Sequence, residues 1–135
     1  MYLCLMRHGQ SRWNARNRFT GWTAVRLTPQ GEKEAFAAGR LLAATRIQFS
    51  HAFTSELSRA KRTTKLVLES MNQSPLVETS WRLNERHYGA LTGLHKTEVM
   101  EENPEETMAM RRGTMAPPDL SPSHPMWRYI MHLPD

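Results

Sequence analysis

A chain of 135 residues with a formal net charge of +5 and a pI near 9.9 has the length of one ordinary domain, enough to bury a core. Arginine outnumbers lysine, and its planar fork of donors suits phosphate and carboxylate, so an anionic partner is expected. One cysteine excludes an internal disulfide, and no apolar run reaches the ~20 residues of a membrane-spanning helix, so a soluble, cytoplasmic protein with no membrane partner is expected.

The run Leu3-Cys4-Leu5-Met6 stops abruptly at Arg7-His8-Gly9. Its pattern predicts a buried strand, with Cys4 a small buried side chain and His8 presented to a pocket at the strand's carboxyl end. Starting the chain on a strand leaves no room for a signal or transit peptide. Gly9 would let a ligand approach the main chain. Arg7 beside the imidazole disfavours a second positive charge, so His8 is expected to be neutral, with one nitrogen lone pair free to attack an electrophile. A guanidinium beside such a nucleophile draws in anions, which together predict phosphoryl transfer through a phosphohistidine. Taken as a tripeptide alone, a histidine at a strand end is more often structural.

From Gln10 to Trp22 the chain alternates polar, cationic and aromatic residues, predicting a short helical turn and then a loop over the pocket. Ser11 and Asn14 are donors for phosphate oxygens or, equally, for local caps, while Thr20-Gly21 offers a hydroxyl and an accessible backbone N–H. Arg12, Trp13, Arg16, Arg18, Phe19 and Trp22 interleave cations with rings that would suit base stacking. The basic residues are nevertheless spread along the chain with no nucleic-acid-binding motif, so no nucleic acid partner is expected.

Thr28-Pro29 is a helix start, a capping hydroxyl followed by proline, and the apolar face Ala35, Ala38, Gly39, Leu41 and Leu42 carries the helix to about Ala44. Ala52-Phe53-Thr54 reads as a second strand. Ser58 to Met71 is again helical, with Ala60, Thr64, Val67, Leu68 and Met71 near one face. Arg59 in its first turn opposes the helix dipole, which fits either a ligand role or an ion pair with Glu56. Ser74-Pro75 breaks the chain before a third strand at Leu76-Val77-Glu78.

Trp81 to Leu94 has no period, as active-site loops do, and Glu85 within it is the candidate general acid/base, with a surface pair to Arg86 as the plainer alternative. Partial burial would raise the Glu85 pKa to the value that such work needs. Two short helices, His95 to Glu102 and Glu105 to Arg112, are separated by Asn103-Pro104. Recurring prolines from Pro117 onward predict an irregular tail over residues 117–135, in which Trp127, Tyr129 and Ile130 need a surface to lie against.

Five words in order, Arg7-His8-Gly9-Gln10-Ser11-Arg12-Trp13-Asn14, Arg18-Phe19-Thr20-Gly21-Trp22, Thr54-Ser55-Glu56-Leu57-Ser58-Arg59-Ala60, Leu83-Asn84-Glu85-Arg86-His87-Tyr88-Gly89-Ala90-Leu91 and Arg111-Arg112-Gly113, resemble cofactor-dependent phosphoglycerate mutase, within the histidine phosphatase superfamily. The resemblance implies a three-layer α/β/α fold, here its N-terminal half with short central strands, spanning residues 1–116. It implies interconversion of 3-phosphoglycerate and 2-phosphoglycerate in glycolysis and gluconeogenesis, with His8 carrying the phosphoryl group, 2,3-bisphosphoglycerate as primer and Glu85 as proton shuttle. It assigns Arg7, Ser11, Asn14, Thr20, Gly21, Arg59, Arg86, Tyr88, Lys96, Arg111 and Arg112 to holding a phosphorylated three-carbon acid. Arginines supply the positive charge there, so no metal is expected, and a homo-oligomer is compatible with the reading.

Gln10 stands where this family usually has glutamate. Family members also continue into a strand that ends at a second histidine, and neither His124 nor His132 has that setting. Activity is therefore expected to be impaired, with an unpaired sheet edge and an uncovered apolar face. A bisphosphoglycerate mutase or phosphatase with the same apparatus, or a non-catalytic truncated isoform, are the alternatives.

Overall fold

The computed structural model describes residues 2–127, which divide into two compact units, one of residues 2–12 and 24–84 and one of residues 13–23 and 85–127. The elements run α1 (Arg12–Ala15), α2 (Pro29–Ala44), β1 (His51–Thr54), α3 (Ser58–Met71), β2 (Leu76–Thr79), 3-10 turns at Trp81–Leu83 and Gly89–Leu91, α4 (Lys96–Glu102) and α5 (Pro104–Arg112). The class is mixed α/β, as the sequence implies. Tyr129, Ile130 and His132 lie outside the described residues.

In the first unit α2 begins where the sequence places it. Thr28 Oγ1 accepts from the Gly31 N–H at 3.0 Å, and Pro29 follows at a position whose missing N–H costs nothing. Leu27, Ala35, Leu66, Val67 and Met71 form the core between α2 and α3, with Leu42, Ala43 and Phe49 packed against it. The helices approach closely at Gly39, where a methyl group would stand 2.4 Å from the Val67 carbonyl oxygen. Leu41, expected on the apolar face, is 74% exposed, because the buried face of α2 runs through Gly31, Ala35 and Gly39 instead. On α3 the buried face is Arg59, Thr63, Leu66, Val67 and Met71. It lies about one position round from the expected stripe, leaving Ala60, Thr64 and Leu68 half-buried. Asn72 closes α3 in the left-handed conformation, φ 54°.

β1 and β2 pair in parallel, His51 opposite Leu76 through Thr54 opposite Thr79. The strand expected over residues 3–7 is absent: this stretch has no regular structure, and Tyr2 to Arg7 are all exposed, Cys4 included. A strand exists only through the ladder it joins, and among the described residues no segment pairs with this one. Gly9 packs closely against α2, its methyl position lying 2.1 Å from the Gly31 carbonyl oxygen.

The second unit has its own core of Phe19, Leu91, Val99 and Met110, with the Tyr88 ring 5.0 Å from that of Phe19. Phe19 N–H donates to the Leu94 carbonyl and Gly93 N–H to the Phe19 carbonyl, tying the loop after α1 to the turn at Gly89–Leu91. Residues 117–126 have no helix or strand, yet they are anchored. Ala90 N–H donates to the Pro118 carbonyl at 2.8 Å, and the His124 ring bonds the Ala90 carbonyl at 2.9 Å. Among the described residues no helix is long and apolar enough to cross a membrane.

Candidate functional site

His8 sits where the exposed N-terminal stretch meets the packed body of its unit, and two neighbours decide its chemistry. Its Nδ1 lies 2.7 Å from the Gly9 carbonyl oxygen, a group that only accepts, so Nδ1 carries the proton. Its Nε2, 3.2 Å from Arg59 Nε, accepts from the guanidinium and so keeps its lone pair. The ring is therefore the neutral tautomer expected from the sequence, although the cation that meets it is Arg59, from α3, and not Arg7. The Arg7 side chain is exposed and makes no hydrogen bond among the described residues.

Arg59 is 1% exposed, and its carbonyl accepts from Thr63 Oγ1 at 2.8 Å. That same hydroxyl accepts from the Gly9 N–H at 3.2 Å, so α3 holds both the guanidinium and the backbone beside the imidazole. Thr63 was not singled out in the sequence, and only its spacing of one helical turn from Arg59 could have marked it. The ion pair considered between Arg59 and Glu56 does not form. Glu56 pairs with Lys61 instead, which lowers its pKa chiefly through that hydrogen bond. Ser11 is fully buried and its backbone bridges to Leu27.

The second unit gathers the remaining candidates in and around the loop after Asn84. Asn14 is half-buried on α1. Thr20 is 3% exposed, and neither its Oγ1 nor that of Thr92, 1% exposed, has a hydrogen-bond partner among the described residues. Gly21 is buried at φ +53°, and a methyl group there would stand 3.2 Å from the Tyr88 backbone nitrogen, so the loop packs closely against the segment carrying Tyr88. The Trp22 indole N–H donates to the Glu85 carbonyl at 2.7 Å and positions that residue. The Glu85 side chain is half-buried.

Arg86 does not pair with Glu85 on the surface in the way considered. Its guanidinium donates to the Met110 carbonyl at the end of α5, lies within 3.5 Å of the Met115 carbonyl, and stacks 5.6 Å from the Tyr88 ring. The negative end of the helix dipole favours a cation there. Lys96 Nζ lies 5.7 Å from the Phe19 ring, and Arg112 is exposed in the last turn of α5. Arg111 belongs to α5, but its side chain lies outside what the structure describes. His87 accepts from the Gly89 N–H at 2.8 Å, and burial holds its pKa below the ordinary histidine value.

Thus His8 and Arg59 meet in one unit, and Thr20, Gly21, Glu85, Arg86, Tyr88 and Lys96 are supported by one another's segments in the other. An open hollow of about 680 Å³ between α3 and β2, lined by Lys61, Thr64, Lys65, Leu68, Val77 and Thr79 among others, contains none of the expected site residues. Among the described residues no group of three His, Cys, Asp or Glu side chains is gathered to hold a metal ion.

Comparison with known proteins bears on the family of the chain. The model of the histidine phosphatase superfamily (branch 1) matches residues 3–124. A 2,3-bisphosphoglycerate-dependent phosphoglycerate mutase of Caulobacter vibrioides is 49% identical over 123 residues, covering 89% of this chain and 52% of its own. One from Zymomonas mobilis is 52% identical over 118 residues, covering 86% of this chain and 52% of its own. Among solved structures, a mycobacterial glucosyl-3-phosphoglycerate phosphatase in complex with VO3 superposes with a TM-score of 0.71 at 30% identity, over 82% of this chain and 51% of its own. YhfR of Bacillus stearothermophilus does so with 0.68 at 28% identity, over 77% and 50%. The chain spans about half the length of the curated relatives it matches. On the family match over residues 3–124, the chain belongs to the histidine phosphatase superfamily.

Proposed function

We propose that this chain carries the N-terminal part of a phosphoglycerate mutase interconverting 3-phosphoglycerate and 2-phosphoglycerate in the cytoplasm. The observation that carries the reading is the His8 ring, donating from Nδ1 to the Gly9 carbonyl and accepting at Nε2 from Arg59. A P–N bond forms at Nε2 as the ester P–O bond of the donor breaks, and the reverse exchange delivers the phosphoryl group to the acceptor hydroxyl. The Arg59 guanidinium offsets charge on the transferring oxygens. Glu85 takes the proton from the attacking hydroxyl and returns one to the leaving oxygen. Arg7, Ser11, Asn14, Thr20, Gly21, Arg86, Tyr88, Lys96, Arg111 and Arg112 bind the phosphate and carboxylate of the acid.

The donor set fits 2,3-bisphosphoglycerate: a nucleophilic nitrogen with a buried guanidinium suits its phosphoryl group, and the basic residues named suit its carboxylate. When bound, it supplies the phosphoryl group that primes His8. Guanidinium groups provide the positive charge, so the reading calls on no metal.

Incubation with 2,3-bisphosphoglycerate labelled in phosphorus tests this. Acid-labile label is expected on the wild-type chain and none on His8→Ala. Wild-type protein that stays unlabelled, or a variant that keeps the label, sinks the reading. A phosphatase is the second reading, favoured by the solved phosphatase similar to this chain. Phosphate released from 3-phosphoglycerate with no 2-phosphoglycerate formed would establish it over the mutase.

A further inference from the structure

Four hydrogen bonds close a circuit through His8. Its Nδ1 donates to the Gly9 carbonyl at 2.7 Å, and the Gly9 N–H donates to Thr63 Oγ1 at 3.2 Å. The Thr63 hydroxyl donates to the Arg59 carbonyl at 2.8 Å, and Arg59 Nε donates back to the imidazole Nε2 at 3.2 Å. From this we infer that Thr63 is a positioning residue for His8, its hydroxyl holding the imidazole in the Nδ1–H form with Nε2 on Arg59. The consequence for rate rests on the phosphoryl transfer proposed above, and the consequence for the ring does not.

A helical threonine can return its hydroxyl hydrogen to the carbonyl one turn earlier, which leaves the oxygen free to accept from elsewhere. On α3 that carbonyl belongs to Arg59, so one side chain joins the backbone that carries the guanidinium to the backbone beside the imidazole. Thr63 is 5% exposed and β-branched, so its hydroxyl keeps one direction and water is kept from the Gly9 N–H. Gly9 also packs against Gly31 of α2, where a methyl group would stand 2.1 Å from the carbonyl oxygen. Without the hydroxyl, a buried N–H would lose its acceptor. Relief would come from movement of the Gly9 backbone, which also carries the carbonyl that holds Nδ1. A reacting group is held true only when its supports are themselves locked by packing and hydrogen bonds.

The ring-nitrogen NMR signals of His8, assigned by their loss in His8→Ala, read this directly. The wild-type chain should show one neutral form, protonated at Nδ1. Thr63→Val, of nearly the same shape but with no hydroxyl, should show exchange between the two neutral tautomers. Label from 2,3-bisphosphoglycerate should enter its His8 about 10-fold more slowly, since displacing a reacting group by about 1 Å can cost about 100-fold. Thr63→Ser keeps the hydroxyl and should restore the single tautomer and most of the rate. Val67→Ala, a core change on the same helix, should lower the urea midpoint and leave both the ring signals and the labelling rate of the folded chain unchanged. In the wild type, the Gly9 amide should resist hydrogen exchange together with the amides of α3. Wild-type ring signals or a wild-type labelling rate in Thr63→Val would each overturn the inference, as would a serine variant that falls as far as the valine one. So would Val67→Ala disturbing the ring equally, or a Gly9 amide that exchanges freely in the wild type, whether or not the valine variant folds. A wild-type chain that takes no label defeats the proposed phosphoryl transfer and leaves the ring signals and amide exchange to decide the role of Thr63.

Discussion

The imidazole of His8 is held by two atoms, the adjacent carbonyl oxygen of Gly9 and the Nε of Arg59 51 positions away. The sequence predicts neutrality from the neighbouring Arg7, whereas in the structure the guanidinium that meets the ring is that of Arg59, aimed at it by α3. If that reading of the site holds, Arg59→Ala should slow labelling of His8 by about 100-fold or more, the usual cost of losing one buried donor to a transferring group. Labelling at the wild-type rate would remove Arg59 from the mechanism. Gly9 tests the scaffold. With the Gly31 carbonyl oxygen 2.1 Å from where a methyl would stand, Gly9→Ala should destabilise the unit by about 1–3 kcal/mol, the range for overpacking, measured as a lower urea midpoint.

Among the elements, α2 and α3 were the most legible in the sequence, because caps, proline placement and a 3.6-residue period are local signals that need no partner. Their bounds match the expected ones at Thr28-Pro29, Ser58 and Met71. Thr28→Ala should cost about 1 kcal/mol in urea unfolding, since the Gly31 N–H loses its acceptor. Their contact was not legible. Nothing in the period of α2 shows that Gly39 meets the Val67 carbonyl, or that the α3 stripe is rotated by about a residue to bury Arg59 and Thr63. Gly39→Ala should therefore destabilise, where an exposed helical glycine would gain from the same change. A raised midpoint would show that the helices can separate freely there.

For the molecule, pH dependence follows from the second unit. Burial disfavours the charged form of His87, so its folded pKa lies below the ordinary 6.5 while the unfolded chain keeps the ordinary value. The unfolded state then takes up a proton first as pH falls, and stability declines below about pH 6.5 until the folded ring also protonates. Urea midpoints should thus be lower near pH 5.5 than near pH 7.5, and His87→Gln should shrink that difference. The Trp22 indole, edge-on to His87 at 5.8 Å, is a fluorescence reporter of the same region. An undiminished difference in the variant would assign the pH dependence to other groups.

The sequence by itself determined the superfamily, the order of the helices, the cap at Thr28 and the identity of His8 and Arg59 as candidates, because motifs and helical periods are written in neighbouring residues. Tertiary structure decided the rest. A strand is made by its partner, so the apolar run before His8 satisfied every local rule and still stayed unpaired and exposed. The same dependence on distant chain put the guanidinium of Arg59 on the imidazole and turned Arg86 to the carbonyls closing α5, choices made by packing and helix dipole that no local pattern of residues encodes.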